Sequence, residues 1–138
     1  MQIHKLAQTP SPAQQTADLK PLFRMHAELC KALANEHRQA ILHAICTGEM
    51  CVGDLAAEIG ISVHNVSQHL RVLKERRLVA SRKDGQTVYY HVTNMKFIEA
   101  CGLIRQALVE QHVAQGESLH AAELLDAQGT TPASIAPA

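Results

Sequence analysis

Two short stretches with helical spacing of apolar residues, Val52 to Ile59 and Val63 to about Arg76, are separated only by Gly60-Ile61-Ser62. Glycine closes a helix because it adopts the left-handed conformation at no steric cost, and serine opens the next by capping its free N–H groups. Two strand-like runs follow, Leu78 to Arg82 and Thr87 to Val92, around Lys83-Asp84-Gly85-Gln86 with its Asp-Gly turn signal. On the second helical stretch Val66, Leu70 and Leu73 recur at spacings of four and three and form one stripe to be buried. Leu55, Ile59 and Ile61 supply the packing surface of the first stretch and the turn. Few folds accommodate this order: two helices meeting at an angle, with a hairpin attached to the second.

The rest of the chain supports that unit. Residues 1–16, with Pro10 and Pro12, read as a flexible arm. A first helix is expected from an Asp18 cap through Leu33, with Pro21 in its first turn and Leu22, Met25, Leu29, Cys30 and Leu33 inward. Asn35 caps a second, Glu36 to about Cys46, burying Ile41, Leu42 and Ile45; Thr47-Gly48 closes it. The stretches from Val52 and Val63 are the third and fourth helices. A long fifth runs from about Met95 to Ala114, and residues 117–128 read as a weak helix before a disordered end. The sequence therefore predicts a mainly α fold with a small β-hairpin, a winged helix-turn-helix over residues 17–115, followed by an acidic tail over 116–138. With 46% hydrophobic residues, no Trp, two Tyr and two Phe, the core must be aliphatic, which suits packed helices.

The formal net charge is zero, but the charge is unevenly placed. From Val63 to Lys83 the basic residues Arg71, Lys74, Arg76, Arg77, Arg82 and Lys83 face one acid, Glu75, whereas no Lys or Arg follows Arg105. Phosphates respond to the contacting face rather than to the chain total. The polar side of the fourth helix presents His64, Asn65, Gln68 and Arg71, with Ser67 at its margin. Amides of this kind pair with adenine edges and guanidinium groups with guanine in the major groove. Arg82, Lys83 and Gln86 on the hairpin are placed for phosphates or the minor groove. No Gly-rich phosphate loop, nucleophile elbow or HExxH motif points to an enzyme. The first 15 residues hold no apolar run, so neither a secretory signal nor a membrane contact is expected. A cytoplasmic protein with four free thiols, Cys30, Cys46, Cys51 and Cys101, follows.

Several separated blocks carry a family resemblance: Ala32-Leu33-Ala34-Asn35-Glu36-His37-Arg38, Glu49-Met50-Cys51-Val52-Gly53-Asp54-Leu55, Asn65-Val66-Ser67-Gln68-His69-Leu70-Arg71-Val72-Leu73 and Val88-Tyr89-Tyr90. Together they resemble the ArsR/SmtB winged-helix repressors, without gaps from about His26 to Glu110. The resemblance implies a repressor that leaves its promoter when an inducer binds. It also implies a homodimer formed by the first and fifth helices, and DNA contacts at Ser62, His64, Asn65, Ser67, Gln68 and Arg71. The dimer also follows from the fifth helix, whose Phe97, Ile98, Cys101, Ile104 and Leu108 form a stripe that one small unit leaves uncovered. Two copies would read double-stranded DNA with an inverted repeat.

The resemblance further implies a metal site at the start of the third helix, where Cys51 and Asp54 match a Cys and an Asp, completed from the N-terminal arm. His4 is the one ligand type the arm offers, and the inducer would be a zinc-like or thiophilic ion. The family's other site, between paired fifth helices, falls on Asn94, Lys96, Ala107 and Glu110, where only Glu110 is a ligand. A shifted set, Glu99, Cys101 and His112, is out of register in an antiparallel pair. The same pairing puts Cys101 near the dimer axis, so a thiol-redox response through Cys101 or other cysteines is the alternative, and a DNA binder without small-molecule sensing is the third reading. Cys30 is expected in the core, and Cys46 has no assigned role.

Overall fold

A computed structural model describes residues 9–115; His4 and the segment 116–138 lie outside them. The chain begins with α1 (Pro12–Asp18), which Ser11 caps by accepting a hydrogen bond from the Gln14 N–H, with Pro12 in the first turn. The region expected as an open arm thus contains a helix, and it buries no residue. Ser11-Pro12 is itself a helix-start signal, a cap followed by a residue whose fixed φ suits the first turn. Asp18 accordingly ends α1 instead of capping the next helix, α2 (Lys20–Leu33), which starts after Leu19.

The remaining helices are α3 (Glu36–Ala44), α4 (Val52–Ile59), α5 (Val63–Glu75) and α6 (Met95–Ala114). Asn35 caps α3 through the N–H groups of His37 and Arg38, Ser62 caps α5 through Asn65, and Asn94 caps α6 through Lys96. Gly60 closes α4 at φ 79°, the left-handed conformation glycine allows. The hairpin is β2 (Val79–Asp84) and β3 (Thr87–Val92), longer at the turn than the sequence suggests. Asp84 pairs with Thr87, leaving Gly85-Gln86 as a two-residue loop, with φ 60° at Gly85. A positive φ at the first central residue matches the right-handed twist of the flanking strands.

A third strand, β1 (Met50–Cys51), pairs antiparallel with β3, Met50 opposite Tyr90 and Cys51 opposite Tyr89, giving the order β1-β3-β2. Two residues carry no readable periodicity, and the sequence reading has no strand there.

The core gathers Ile41, Leu42, Ile45, Leu55, Val66, Leu70, Leu73, Leu78 and Val79, which join α3, α4, α5 and β2. Each such aliphatic side chain contributes about 1.5–3 kcal/mol when fully buried. The inward stripe expected on α2 is only partly so: Leu29 and Leu33 pack against the core, but Leu22, Met25 and Cys30 are exposed. Cys30 is therefore not a core residue. On α6, Phe97 and Ile98 pack against the core and Cys101 is buried, while Ile104 and Leu108 are exposed. Among the described residues, no helix is long and apolar enough to cross a membrane.

Candidate nucleic-acid interface

The polar face of α5 is held outward by what lies behind it. Val66, Leu70 and Leu73 are each at most 1% exposed, so the helix cannot roll without opening the core. Ser62, His64, Asn65, Ser67, Gln68 and Arg71 are all exposed on the other side. Among the described residues Arg71 pairs with Glu75, 3.7 Å away and one helical turn on, an exposed pair that leaves the guanidinium accessible.

The helix end is fastened to the hairpin. Arg77 adopts φ 59°, and the Leu78 N–H donates to the Leu73 carbonyl at 3.0 Å, turning the chain from α5 into β2. Thr93 Oγ1 donates to the Arg77 carbonyl at 2.6 Å and lies 3.1 Å from that of Leu78. Arg76 pairs with Glu28 on α2 at 3.1 Å. That carboxylate, also bonded by Lys31, is held below the usual range, chiefly by the Lys31 hydrogen bond. Arg76 thus also ties the end of α5 to α2.

The front of α5 is braced from α3. Arg38 donates to the carbonyls of Ala32 and Lys31 at the end of α2, and its Nη1 approaches His69 Nδ1. The residue pattern includes Arg38 in a family block but not this bracing role, because its partners lie at the far end of one helix and on another.

On the wing, Arg82, Lys83 and Gln86 are exposed. Arg82 is engaged, however: it forms a forked pair with Glu49, its Nη1 lies 3.8 Å from Asp84, and its guanidinium carbon sits 4.9 Å above the Tyr89 ring. The Glu49 hydrogen bond holds Arg82 above and Glu49 below their ordinary values. Glu49 opens one of the family blocks, but motif reading gives it no partner. Its role depends on β1, which brings it beside the hairpin.

The sensing candidates are less assembled. Cys51 is the residue before α4 and makes no side-chain capping bond, and Asp54 is exposed in the first turn. Among the described residues no group of three or more His, Cys, Asp or Glu side chains is placed to hold a metal ion. By contrast, Cys30 and Cys101 both line one groove of about 430 Å³ between α2, α3 and α6, walled by Leu33, Ile104 and Leu108 with Glu36 and Arg105.

Comparison with known proteins agrees with this geometry. The family description "Bacterial regulatory protein, arsR family" matches residues 35–81, which hold α3, α4, α5 and the start of β2. The nodulation protein NolR of Rhizobium meliloti is 34% identical over 95 residues, covering 69% of this chain and 75% of NolR. The cadmium resistance regulatory protein CadC of Listeria innocua is 44% identical over 69 residues, 49% of this chain and 58% of CadC. Among solved structures, the homodimeric winged helix-turn-helix DNA-binding domain of Mb0332 from Mycobacterium bovis superposes with a TM-score of 0.60 at 27% identity. That match covers 78% of this chain and 93% of the domain. A buried α5 stripe, an exposed reading face, a hairpin wing and these relatives lead to one assignment: the chain belongs to the ArsR/SmtB family of winged helix-turn-helix, DNA-binding transcription regulators.

Proposed function

We propose that the protein is a repressor that binds an inverted-repeat operator as a homodimer and is released by an inducer. The observation that carries this is the two-sided α5: Val66, Leu70 and Leu73 sealed into the core, and His64, Asn65, Gln68 and Arg71 open to a groove. In this reading α5 lies in the major groove, with Ser62 and Ser67 at its margin. Arg82, Lys83 and Gln86 of the wing reach phosphates or the neighbouring minor groove. Selection of duplexes from a random pool, followed by a salt titration of the winner, tests it. Steep loss of affinity with salt and a two-fold symmetric consensus are expected. A flat salt response overturns it.

The dimer is supported by exposed apolar residues on two helices, Leu22, Phe23 and Met25 of α2 and Leu103, Ile104 and Leu108 of α6. The Mycobacterium bovis domain is homodimeric. Phe97, Ile98 and Cys101 lie on the core side of α6 in the single chain, so the contact surface centres on Ile104 and Leu108.

For the inducer, one relative is a cadmium resistance regulator, which supports a thiophilic ion at Cys51 and Asp54. Those two donors fall short of the four that a closed zinc-like site takes, so the remainder would come from His4 or a second chain. If Cys51→Ser leaves the response to zinc, cadmium and lead unchanged, the ion reading ends. A second reading is favoured by a specific feature: exposed Cys30 and buried Cys101 share one apolar groove. Oxidation by a hydroperoxide would join the two thiols as a disulfide, passing two electrons and two protons to the oxidant. Mass analysis without reductant separates this intrachain link from a Cys101-to-Cys101 covalent dimer.

A further inference from the structure

Glu49 and Arg82 occupy the same face of the three-stranded sheet. The pairing register sets Cys51, Tyr89 and Arg82 side by side in one row across β1, β3 and β2. Glu49 directly precedes β1, and its carboxylate reaches Arg82 on that face. There its carboxylate accepts from Arg82 through a fork: Nε lies 2.9 Å from both oxygens, and Nη2 bonds Oε1. The Arg82 guanidinium carbon lies 4.9 Å from the centre of the Tyr89 ring, within cation–π range.

A carboxylate presents two oxygens to a guanidinium fork much as a phosphate does. We propose that Glu49 is an internal surrogate for a DNA phosphate, which holds the wing's Arg82 in the free protein and hands it over when a duplex docks. The inference rests on the reading of the wing as a DNA-contacting element. Handover follows from electrostatics: a phosphate approaching Arg82 repels the Glu49 carboxylate while offering its own oxygens, and Tyr89 remains as the platform. The exchange subtracts the lost pair from every encounter, so Glu49 lowers affinity for any duplex. Only a site that α5 also satisfies then holds the protein firmly.

The test is a double-mutant cycle on Glu49→Gln, Arg82→Ala and the double variant. The probes are a duplex selected from a random pool by the wild-type protein and an unrelated duplex of equal length, with circular dichroism as the check on folding. Glu49→Gln is expected to tighten binding to both duplexes by about two- to fivefold, the range of an exposed ion pair. Arg82→Ala is expected to weaken it, and Glu49→Gln to give no gain in the Arg82→Ala background. A gain that persists there overturns the proposal, since it reports only the general field of one fewer negative charge. Weaker binding by Glu49→Gln also overturns it, showing that the pair braces the bound wing. If Arg82→Ala binds normally while Gln68→Ala does not, handover fails and the α5 reading stands. If no variant, nor the wild type, binds any duplex, the DNA reading fails and this proposal with it.

Discussion

Arg38 of α3 and His69 of α5 meet with Nη1 3.5 Å from Nδ1, so the imidazole braces α5 best when neutral, as an acceptor. The His37 ring lies 5.6 Å away, centre to centre. His69 is held below the ordinary imidazole value of 6.5, first by burial and then by the charges of Arg38 and His37. Above that value both folded and unfolded chains carry a neutral imidazole, and the contribution to stability is complete. As pH falls below it the unfolded chain takes up its proton first, so stability is lost. The urea midpoint should therefore drop between about pH 7.5 and about pH 5.5, and drop less in His69→Gln. Glu28 and Glu49 are lowered from 4.5 and titrate below this window. Equal slopes in variant and wild type would remove His69 as the cause.

Leu73 is 0% exposed and joins α5 to the rest of the core. Leu73→Ala should cost about 2–5 kcal/mol, the transfer term plus the cavity. Exposed Val63→Ala on the same helix should stay within about 0.5 kcal/mol. Chemical denaturation compares the two. Similar small losses would show that the buried stripe does not hold α5 in place.

Gln68→Ala with Arg71→Ala should leave the melting temperature nearly unchanged, because both side chains are exposed. Affinity for a selected duplex should fall by about 1–3 kcal/mol for each base contact removed. Gel shift or anisotropy titration reads the loss. Unchanged affinity would place the base-reading surface elsewhere.

Ile104 and Leu108 are 60% and 51% exposed on α6. Replacing both by Glu should shift sedimentation toward the single-chain mass at micromolar concentration. Duplex affinity should fall with it, since two half-sites are no longer held together. A double variant that still sediments as a dimer would move the interface to another face.

Much of the architecture was legible because it rests on local chemistry. Asn35, Ser62 and Gly60 mark helix ends by capping and by φ alone, and the Val66-Leu70-Leu73 stripe dictates which side of α5 faces out. The exposed position of His64, Asn65 and Gln68 follows from that stripe. What escaped has non-local causes. A two-residue strand such as β1 exists only because β3 lies beside it. Glu49 acquires its partner through β1, 33 positions away in the chain. Cys30 sits at a helical spacing that matches the inner stripe, yet its helix packs against the core through Leu29, Ala32 and Leu33 instead. Ser11-Pro12 was a readable start signal outweighed by the polar composition around it.

The splice of Met50 and Cys51 onto β3 makes the hairpin and α4 neighbours through one short stretch of backbone, with no slack between them. The junction between the wing and α4 is therefore set by residues 48–52, whereas α5 meets β2 through residues 76–78. Lengthening that stretch by a single residue would reverse which side chains face Tyr89 and tilt the hairpin. Such a change would alter how the wing sits against α4, while leaving the exposed side chains of α5 intact.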